Sequence, residues 1–297
     1  MKISGFTFTR NAVEFYYPVK ESILSILPVC DEFVVVVGNG WDNTLEVVKS
    51  IKSDKIKIIK TTWDENLFDK GKIHAQQSNI ALDNCTGDWC FYLQSDEVVH
   101  EDDLPIIQEK LKRYKDVLEV EGLLFDYLHF YGDYDHYQWS HRWYKHEIRV
   151  VRNGIGVRSY RSAQGFRKEN GKKLKVVRAE AKIFHYGWVR PPSAMKKKMK
   201  NFEMHHLGKE KVKEKFKDES HFDLMDIERL PVYKETHPKV MEERIRSKDW
   251  QVPKPSGRKK FREDNLRNRI LTFLENRVFH RPLFTSHNYI LLKEKKL

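Results

Sequence analysis

Short apolar runs alternate with stretches of helical periodicity over the first hundred residues. The predicted strands are residues 3–9, 33–37, 56–59 and 89–93. The predicted helices are residues 18–27, 45–51 and 76–82. Strand 33–37 shows no polar alternation, which is typical of a strand buried on both faces of a parallel sheet. This order predicts an α/β fold with right-handed crossovers and a mostly parallel central sheet flanked by helices.

The pattern changes after about residue 98. A helix near residues 104–114 is followed by strand-like runs near 118–127, 148–151 and 181–185, which predict an antiparallel or mixed extension of the sheet. After Pro191 and Pro192 the chain becomes helical and strongly charged. The charged helical stretches are residues 195–201 and 209–217, and an amphipathic segment follows at 266–278. We therefore predict one domain over residues 1–190, with halves 1–100 and 101–190, and a basic helical C-terminal extension over 191–297.

The composition limits the classes of binding partner and the cellular compartment that we expect. The 297 residues carry a net charge of +12, which suits a nucleotide diphosphate, a phospholipid surface or a nucleic acid. The three cysteines show no CxxC spacing, which favours a reducing compartment. We see no signal peptide and no apolar stretch near the ~18 residues that a spanning helix needs. We predict a cytoplasmic protein that is at most peripheral on the inner face of a membrane.

Ligands of such sheets bind beyond the carboxyl ends of the strands. The most informative strand end is the turn Gln94-Ser95-Asp96-Glu97, which follows an apolar strand. Mg²⁺ and Mn²⁺ bind one or two carboxylates together with phosphate oxygens and water, so Asp96 is the first candidate ligand and Glu97 the second. The alternative is a solvated acidic turn that caps the following helix.

This turn resembles the variant DxD motif of family 2 glycosyltransferases, in the subgroup that reads QxDE. Residues 9–11, 22–33 and 42–45 also occur in that family's order, and the resemblance covers roughly residues 1–200. It implies a GT-A (Rossmann-like) fold, a nucleotide-sugar donor, transfer with inversion, and Mn²⁺ or Mg²⁺ on the diphosphate. The donor-binding candidates are Thr9, Arg10, Asn11, Asp42, Gln76, Asn79, Gln94, Ser95 and Asp96.

The chain also departs from the family pattern. The family's paired acids in the second loop are here Val37 and Gly38, and the first Asp of DxD is Gln94. The contacts to the base and the ribose therefore stay open. The family's usual role suggests surface-polysaccharide or lipopolysaccharide assembly.

His185 lies in a segment, residues 183–190, that resembles the HYG segment following the acceptor region of these enzymes. A histidine at a strand end can complete a metal site that Asp96 begins, although a lone histidine is more often structural. Arg190 and Lys196–Lys198 follow, and their charge could stabilise a departing diphosphate or simply face solvent.

The stretch 129–146 is rich in aromatic residues and histidine, which suits stacking and hydrogen bonding to a sugar. The acceptor-binding candidates are Tyr134, Trp139, Arg142 and Trp143. An inverting transfer needs a general base. Glu97, Asp135 and Glu147 are available, and Glu147 is favoured because it opens a strand beside this stretch. Related sequences often carry an acid where this chain has Ser162, which leaves the base open.

Three other functions compete with this interpretation. A nucleotidyltransferase would need a glycine-rich loop after the first strand, and residues 9–12 contain no glycine. A catalytically degenerate sugar-binding protein would explain the acids lost at Gly38 and Gln94. A nucleic-acid binder would explain the positive charge, but its phosphates would be repelled by the acidic turn. We therefore predict a nucleotide-sugar donor, a saccharide or lipid-linked acceptor and no nucleic acid. The basic C-terminal helices either contact an anionic membrane or are solvated.

Overall fold

The computed structural model describes residues 1–64, 67, 71–207, 224–255 and 261–293. The strands are β1 (Ile3–Thr9), β2 (Glu32–Gly38), β3 (Ile56–Thr61), β4 (Trp89–Tyr92), β5 (Glu97–Val99), β6 (Gly122–Gly132), β7 (Tyr137–Gln138), β8 (His146–Arg152), β9 (Val157–Tyr160), β10 (Gly165–Lys168), β11 (Leu174–Val189) and β12 (Tyr289–Leu291). The helices are α1 (Val19–Ile26), α2 (Thr44–Lys49), α3 (Lys72–Asp83), α4 (Leu104–Arg113), α5 (Pro192–Leu207), α6 (Glu242–Arg246) and α7 (Leu266–Phe273).

Within these described residues, ten strands form one sheet whose main path runs β12-β11-β6-β8-β4-β1-β2-β3. Strands β4, β1, β2 and β3 are mutually parallel, as the alternating pattern predicts. Strand β8 runs antiparallel to both β4 and β6, which confirms the mixed extension. Strand β11 then pairs in parallel with β6 and with β12. The predicted α/β fold with a mostly parallel sheet flanked by helices is confirmed.

Two cores pack against opposite faces of this sheet. Val35 and Val37 of β2 face the core that contains α1, α2 and α4, whereas Val34 and Val36 face the core that contains α3 and β10. Because neighbouring strand residues point to opposite faces, a strand covered on both sides needs an unbroken apolar run. This is the physical reason for the continuous pattern in β2.

The C-terminal residues pack against the sheet and also extend it. Met241 and Trp250 are buried in a cluster with Tyr134 and Tyr186, and β12 adds an edge strand beside β11. The amphipathic segment predicted at 266–278 is α7 followed by a π-helical turn, Leu274–Val278. The charged helix predicted at 209–217 lies outside the described residues. Among the helices that are described, none is both long and apolar enough to cross a bilayer.

Candidate active site

Asp96 lies at the carboxyl edge of the parallel strands, in the turn between β4 and β5. It is 7% exposed, and its carbonyl accepts a hydrogen bond of 2.8 Å from the Tyr186 amide on β11. The Asp96 Oδ2 atom lies 3.8 Å from His185 Nε2 and 3.8 Å from Lys198 Nζ. The chain thus brings the two predicted metal ligands together from positions 89 residues apart.

The charge state of Asp96 follows from its neighbours. Burial alone would raise the pKa of its carboxyl, but the facing His185, Lys198 and Arg190 hold this pKa below its usual value. Burial lowers the pKa of His185 and lowers that of Lys198 to about 7. An ionised carboxylate beside a neutral imidazole is the donor set that a divalent cation requires.

A second histidine fixes the orientation of the first. His129 Nδ1 lies 2.9 Å from His185 Nδ1, and His129 Nε2 lies 2.7 Å from the carbonyl oxygen of Tyr144. A carbonyl only accepts, so His129 Nε2 carries a proton and its Nδ1 is an acceptor. His185 must then donate from Nδ1, which leaves its Nε2 lone pair directed toward Asp96. This is the support that metal-bound histidines commonly receive.

Gly187 keeps the space beside this pair open. A Cβ atom at Gly187 would lie 2.5 Å from His185 Nε2 and 2.9 Å from Asp96 Oδ2. The pairing of β11 with β6 shifts register between His185 and Trp188, and such bulges often redirect side chains at active sites. Asp96 and His185 therefore fit a divalent cation. Nowhere in the described ranges do three or more His, Cys, Asp or Glu side chains form a metal cluster. Two protein ligands suit a cation that takes its other ligands from phosphate and water.

Glu97 has a different environment from its neighbour Asp96. It is fully buried, and its two carboxylate oxygens accept hydrogen bonds of 2.7 Å each from Arg149 Nε and Nη2. Tyr127 Oη donates to the same carboxylate at 2.7 Å, and the Gln94 amide donates at 3.0 Å. The sequence suggested Glu97 as a metal ligand or base, but these contacts occupy the carboxylate and favour a structural role.

A cavity of about 440 Å³ opens at the carboxyl ends of β2 and β3; we call it the strand-end cavity. Residues 37–40, 42, 44–46 and 60–62 line it. Asp42 is part of this wall, where its carboxylate accepts hydrogen bonds from the Glu14 amide at 2.8 Å and the Thr44 amide at 3.0 Å. Asp42 therefore shapes the loop with the same oxygens that a ligand would use.

The end of β1 and the two residues that follow it lie at the same edge of the sheet as the strand-end cavity. Arg10 donates to the Asn39 carbonyl at 2.7 Å and lies over the ring of Trp63 at 5.0 Å. Asn11 has a left-handed φ of 52°, and its Oδ1 accepts from the Trp41 amide at 3.0 Å. The buried Thr9 hydroxyl has no hydrogen-bond partner in the part of the chain that is described. All three lie at the predicted edge.

Four other donor candidates have different surroundings. The Gln94 side chain donates to the Ala163 carbonyl at 2.9 Å, and the Ser95 hydroxyl donates to the Phe8 carbonyl at 3.1 Å, so both hold the turn in place. Gln76 is exposed on α3, and its neighbour Gln77 is the buried residue that accepts from Thr61. Asn79 Oδ1 accepts from the Ser159 amide at 2.8 Å. The structure thus gives Asn79 a role in attaching β9 to α3 rather than a place at the donor edge.

A second cavity, of about 460 Å³, lies beside the start of β8 and the turn from β9 to β10; we call it the basic cavity. Its lining includes Arg142, Trp143, Tyr144, Lys145, Glu147, Arg161, Gln164, Arg167, Lys173, Glu275 and residues 285–289. Trp143 and Tyr144 also contact His129, with ring centroids 5.0 and 4.5 Å apart. The wall of the basic cavity therefore adjoins the His129–His185 pair.

Only two of the four acceptor candidates line the basic cavity. Arg142 and Trp143 do so. Tyr134 is 3% exposed and packs against Tyr186 at a centroid distance of 5.8 Å, which makes it a core residue. Trp139 lies under the Arg277 guanidinium at 5.5 Å. The structure therefore does not favour Tyr134 and Trp139 as sugar-binding rings, since other side chains already cover them.

Glu147 lies in the wall of the basic cavity. Its side chain is 7% exposed, and Gln164 Nε2 donates to its Oε1 at 3.2 Å. Burial raises the pKa of Glu147 to about 7, against an opposing contribution from Arg149. A carboxyl group with this pKa can both accept and release a proton near neutral pH.

Sequence reasoning missed several residues that build this site. His129 is paired in register with His185 across β6 and β11, a long-range parallel contact that no local pattern reveals. The turn from β9 to β10 places Arg161 and Gln164 in the basic cavity, with left-handed φ values of 56° at both Arg161 and Ala163. Non-glycine residues at positive φ are uncommon and often occur at functional sites.

Fold and site together define an α/β protein with a carboxylate–imidazole pair at the carboxyl edge of its parallel strands. A family model described as glycosyl transferase family 2 matches residues 9–172, which is more than half of the chain. The chain therefore belongs to glycosyl transferase family 2.

Comparisons beyond the family model are weaker. No curated protein matches the chain. Among solved structures, S. aureus TarS is similar at 20% identity and a TM-score of 0.33, over 44% of this chain and 22% of that one. Residues 1–349 of S. aureus TarS in complex with UDP-GlcNAc give 21% identity and a TM-score of 0.32, over 44% and 35% of the respective chains. The chain thus spans only about a fifth to a third of the length of these structures.

Proposed function

We propose that this protein transfers a sugar, with inversion, from a nucleotide-sugar donor to a hydroxyl group of a saccharide or glycolipid acceptor. Asp96 and His185 would hold Mn²⁺ or Mg²⁺, Glu147 would act as general base, and residues of the strand-end cavity would bind the nucleoside. The donor residues that keep this assignment are Thr9, Arg10, Asn11, Asp42, Gln94, Ser95 and Asp96.

One observation carries the proposal. Asp96 and the Nε2 lone pair of His185 face each other at the carboxyl edge of the parallel strands, and His129, which orients His185, contacts Trp143 and Tyr144 in the wall of the basic cavity. A divalent cation there would neutralise the diphosphate of a donor. Lys198, 3.8 Å from Asp96, adds positive charge for the departing diphosphate.

The proposed chemistry is a single displacement. The acceptor oxygen forms a bond to the anomeric carbon while the bond from that carbon to the diphosphate oxygen breaks. The electron pair leaves with the diphosphate, and the hydroxyl proton passes to the Glu147 carboxylate. Glu147 suits this role better than Glu97, because Glu97 is fully buried and paired with Arg149.

Residues 1–190 would form the transferase domain, and residues 191–297 an extension that closes the basic cavity through Glu275 and residues 285–289. We place the protein in the cytoplasm, in surface-polysaccharide or lipopolysaccharide assembly, with no nucleic-acid partner.

An exposed apolar stripe on α7 favours contact with an anionic membrane surface. Leu266, Ile270 and Phe273 follow at helical spacing and are 70%, 50% and 59% exposed. Arg267 and Arg269 lie on the same helix. Apolar side chains combined with basic ones are typical of interfacial helices. Sedimentation with phosphatidylglycerol vesicles, but not with phosphatidylcholine vesicles, would support this contact, and loss of binding in Phe273→Ser would assign it to α7.

The transferase proposal is tested by thermal stabilisation with UDP-, GDP-, CMP- and dTDP-sugars, each with and without Mn²⁺. We expect one nucleotide class to raise the melting temperature only with Mn²⁺, and Asp96→Asn to abolish this shift. Asp54→Asn is the matched control, because Asp54 is exposed and precedes β3 at the opposite edge of the sheet. A chain that no donor stabilises would contradict the proposal.

A further inference from the structure

The basic cavity carries more positive charge than a neutral sugar requires. Its lining contains five lysine and arginine residues but only two acidic ones. The basic residues are Arg142, Lys145, Arg161, Arg167 and Lys173, and the acidic ones are Glu147 and Glu275. A concave site with one predominant sign of charge concentrates ligands of the opposite sign.

The two acids neutralise only part of this charge. Glu275 is already engaged, with Lys145 Nζ at 3.0 Å and His141 Nδ1 at 2.6 Å. Glu147 receives a hydrogen bond from Gln164, and its burial favours the uncharged form. Neither acid is paired with Arg142, Arg161 or Lys173.

The remaining cations have neutral or solvent-exposed surroundings. Arg167 Nε donates to the amide oxygen of Asn288 at 2.6 Å, and Arg161 lies over the Tyr160 ring at 5.2 Å. Arg142, Arg161 and Lys173 are exposed and make no ion pair with any carboxylate in the part of the chain that is described. They are available to a ligand in the cavity.

The pKa of Tyr160, which lines the cavity, is consistent with this positive charge. The pKa of Tyr160 is lowered, first by a hydrogen bond from Arg161 and then by the charges of Arg161 and Arg167. The same turn that carries Arg161 also carries Gln164, the hydrogen-bond partner of Glu147. A charged group held by Arg161 would therefore lie close to the proposed base.

We propose that the acceptor saccharide carries an anionic group, a phosphate or a carboxylate, which Arg142, Arg161 and Lys173 bind while Glu147 faces the reacting hydroxyl. This inference rests on the proposed function. Arginine binds both anions through paired hydrogen bonds, and Trp143 and Tyr144 provide apolar surface for the sugar ring. The cavity volume of about 460 Å³ is within the range of small-ligand sites.

Calorimetric titration of the full chain tests the inference with four probes: glucose 6-phosphate, glucuronic acid, glucose and inorganic phosphate. We expect glucose 6-phosphate or glucuronic acid to bind about 10-fold or more tightly than glucose, because charge-assisted contacts exceed neutral ones. The tighter of these two probes identifies the anion. Equal affinity for glucose and both charged sugars would overturn the inference. Inorganic phosphate binding as tightly as glucose 6-phosphate would also overturn it, since the sugar would then make no contact.

Variants locate the site. Arg142→Gln, Arg161→Gln and Lys173→Gln combined should remove the preference for the charged sugar, whereas Arg246→Gln, at an exposed position on α6, should retain it. Retention of the preference in the triple variant would place the anion elsewhere and contradict the inference. Displacement of glucose 6-phosphate by UDP would assign the cavity to the donor diphosphate and overturn it as well.

The proposed function is measured separately on the same variants. Their Mn²⁺-dependent stabilisation by a nucleotide sugar should equal that of the unmodified chain, because it depends on Asp96. If the triple variant loses the preference for the charged sugar but is still stabilised by the nucleotide sugar, the lost contacts concern the acceptor alone. Absence of donor stabilisation in the unmodified chain would instead contradict the transferase proposal.

Discussion

The strand-end cavity and the basic cavity are built in different ways. The strand-end cavity is lined by residues 37–40, 42, 44–46 and 60–62, which are the ends of the parallel strands β2 and β3 and the segments that directly follow them. The basic cavity combines residues 141–147, 160, 161, 164, 165, 167 and 173 with residues 275, 282 and 285–289. The first cavity is a consequence of local βα topology, whereas the second exists only because distant segments converge. A topological rule therefore locates the proposed donor side but not the proposed acceptor side.

The turn of residues 94–97 is hydrogen-bonded to the turn that forms part of the basic cavity. Gln94 holds the turn from β9 to β10 through the Ala163 carbonyl, and that turn forms part of the basic cavity. Asp96 faces His185, whereas Glu97 is bonded to Arg149 inside the fold. These neighbouring residues therefore have different partners, and substitutions can separate their contributions.

The largest expected effect comes from Glu147→Gln. Removing the base should lower kcat by about 10² to 10⁴-fold, because general-base catalysis contributes on this order. Donor binding should be unchanged, since Glu147 lies in the basic cavity. The measurement is steady-state transfer together with Mn²⁺-dependent thermal stabilisation by the donor.

Glu109→Gln, at an exposed position on α4, is the control and should retain full transfer. Transfer by Glu147→Gln within a factor of a few of the unmodified chain would remove Glu147 from the mechanism. Loss of donor binding in the same variant would show that the two cavities do not act separately.

Glu97→Gln should affect folding rather than chemistry. It leaves Arg149 as an unpaired charge that is 0% exposed, and breaking a buried ion pair costs about 3–5 kcal/mol. Urea denaturation should show this loss in the free energy of unfolding. Asp96→Asn should change that free energy much less, because Lys198 is partly solvated. Equal stability of Glu97→Gln and the unmodified chain would argue against the structural role of Glu97.

The contrast between Asp96 and Glu97 shows which features of the site can be predicted from the sequence and which cannot. The run before Asp96 and the order of strands predicted the sheet and its edge, whereas His185 was suggested only by the resemblance of residues 183–190 to the HYG segment. Nothing in the sequence distinguishes the environments of Asp96 and Glu97, because Arg149 lies 52 residues beyond Glu97 and reaches it only through the β4–β8–β6 pairing. Tyr134 was misjudged for the same reason, since the residues that bury it, among them Trp250, are far away in the chain.

His129→Phe should lower the metal affinity of the proposed site, although His129 is not one of the proposed ligands. The variant loses the acceptor for His185 Nδ1, so His185 no longer keeps its Nε2 lone pair toward Asp96. Loss of such supporting contacts typically costs about 10 to 100-fold in metal affinity. ¹⁵N NMR of the metal-free protein should show His185 protonated at Nδ1 in the unmodified chain and a mixture of tautomers in the variant. Mn²⁺ titration followed by electron paramagnetic resonance gives the affinity.

The control for this experiment is His280→Asn, because His280 is exposed and has a left-handed φ of 49° that asparagine tolerates. It should leave both the His185 tautomer and Mn²⁺ affinity unchanged. A His185 that remains protonated at Nδ1 in His129→Phe would show that other contacts set its tautomer.

The smallest expected effect is a shift in pH dependence. Glu147 must be ionised to accept a proton, and its pKa is raised to about 7, so kcat/KM should rise with pH through about 7 and level above it. The Gln164 amide donates to the carboxylate and lowers this pKa, so Gln164→Leu should move the rising limb to higher pH, by up to about one unit. Gln251→Leu, at an exposed position, should leave the limb in place. A limb that moves to lower pH in Gln164→Leu would mean that the titrating group is not Glu147, because removing a donor to a carboxylate can only raise its pKa.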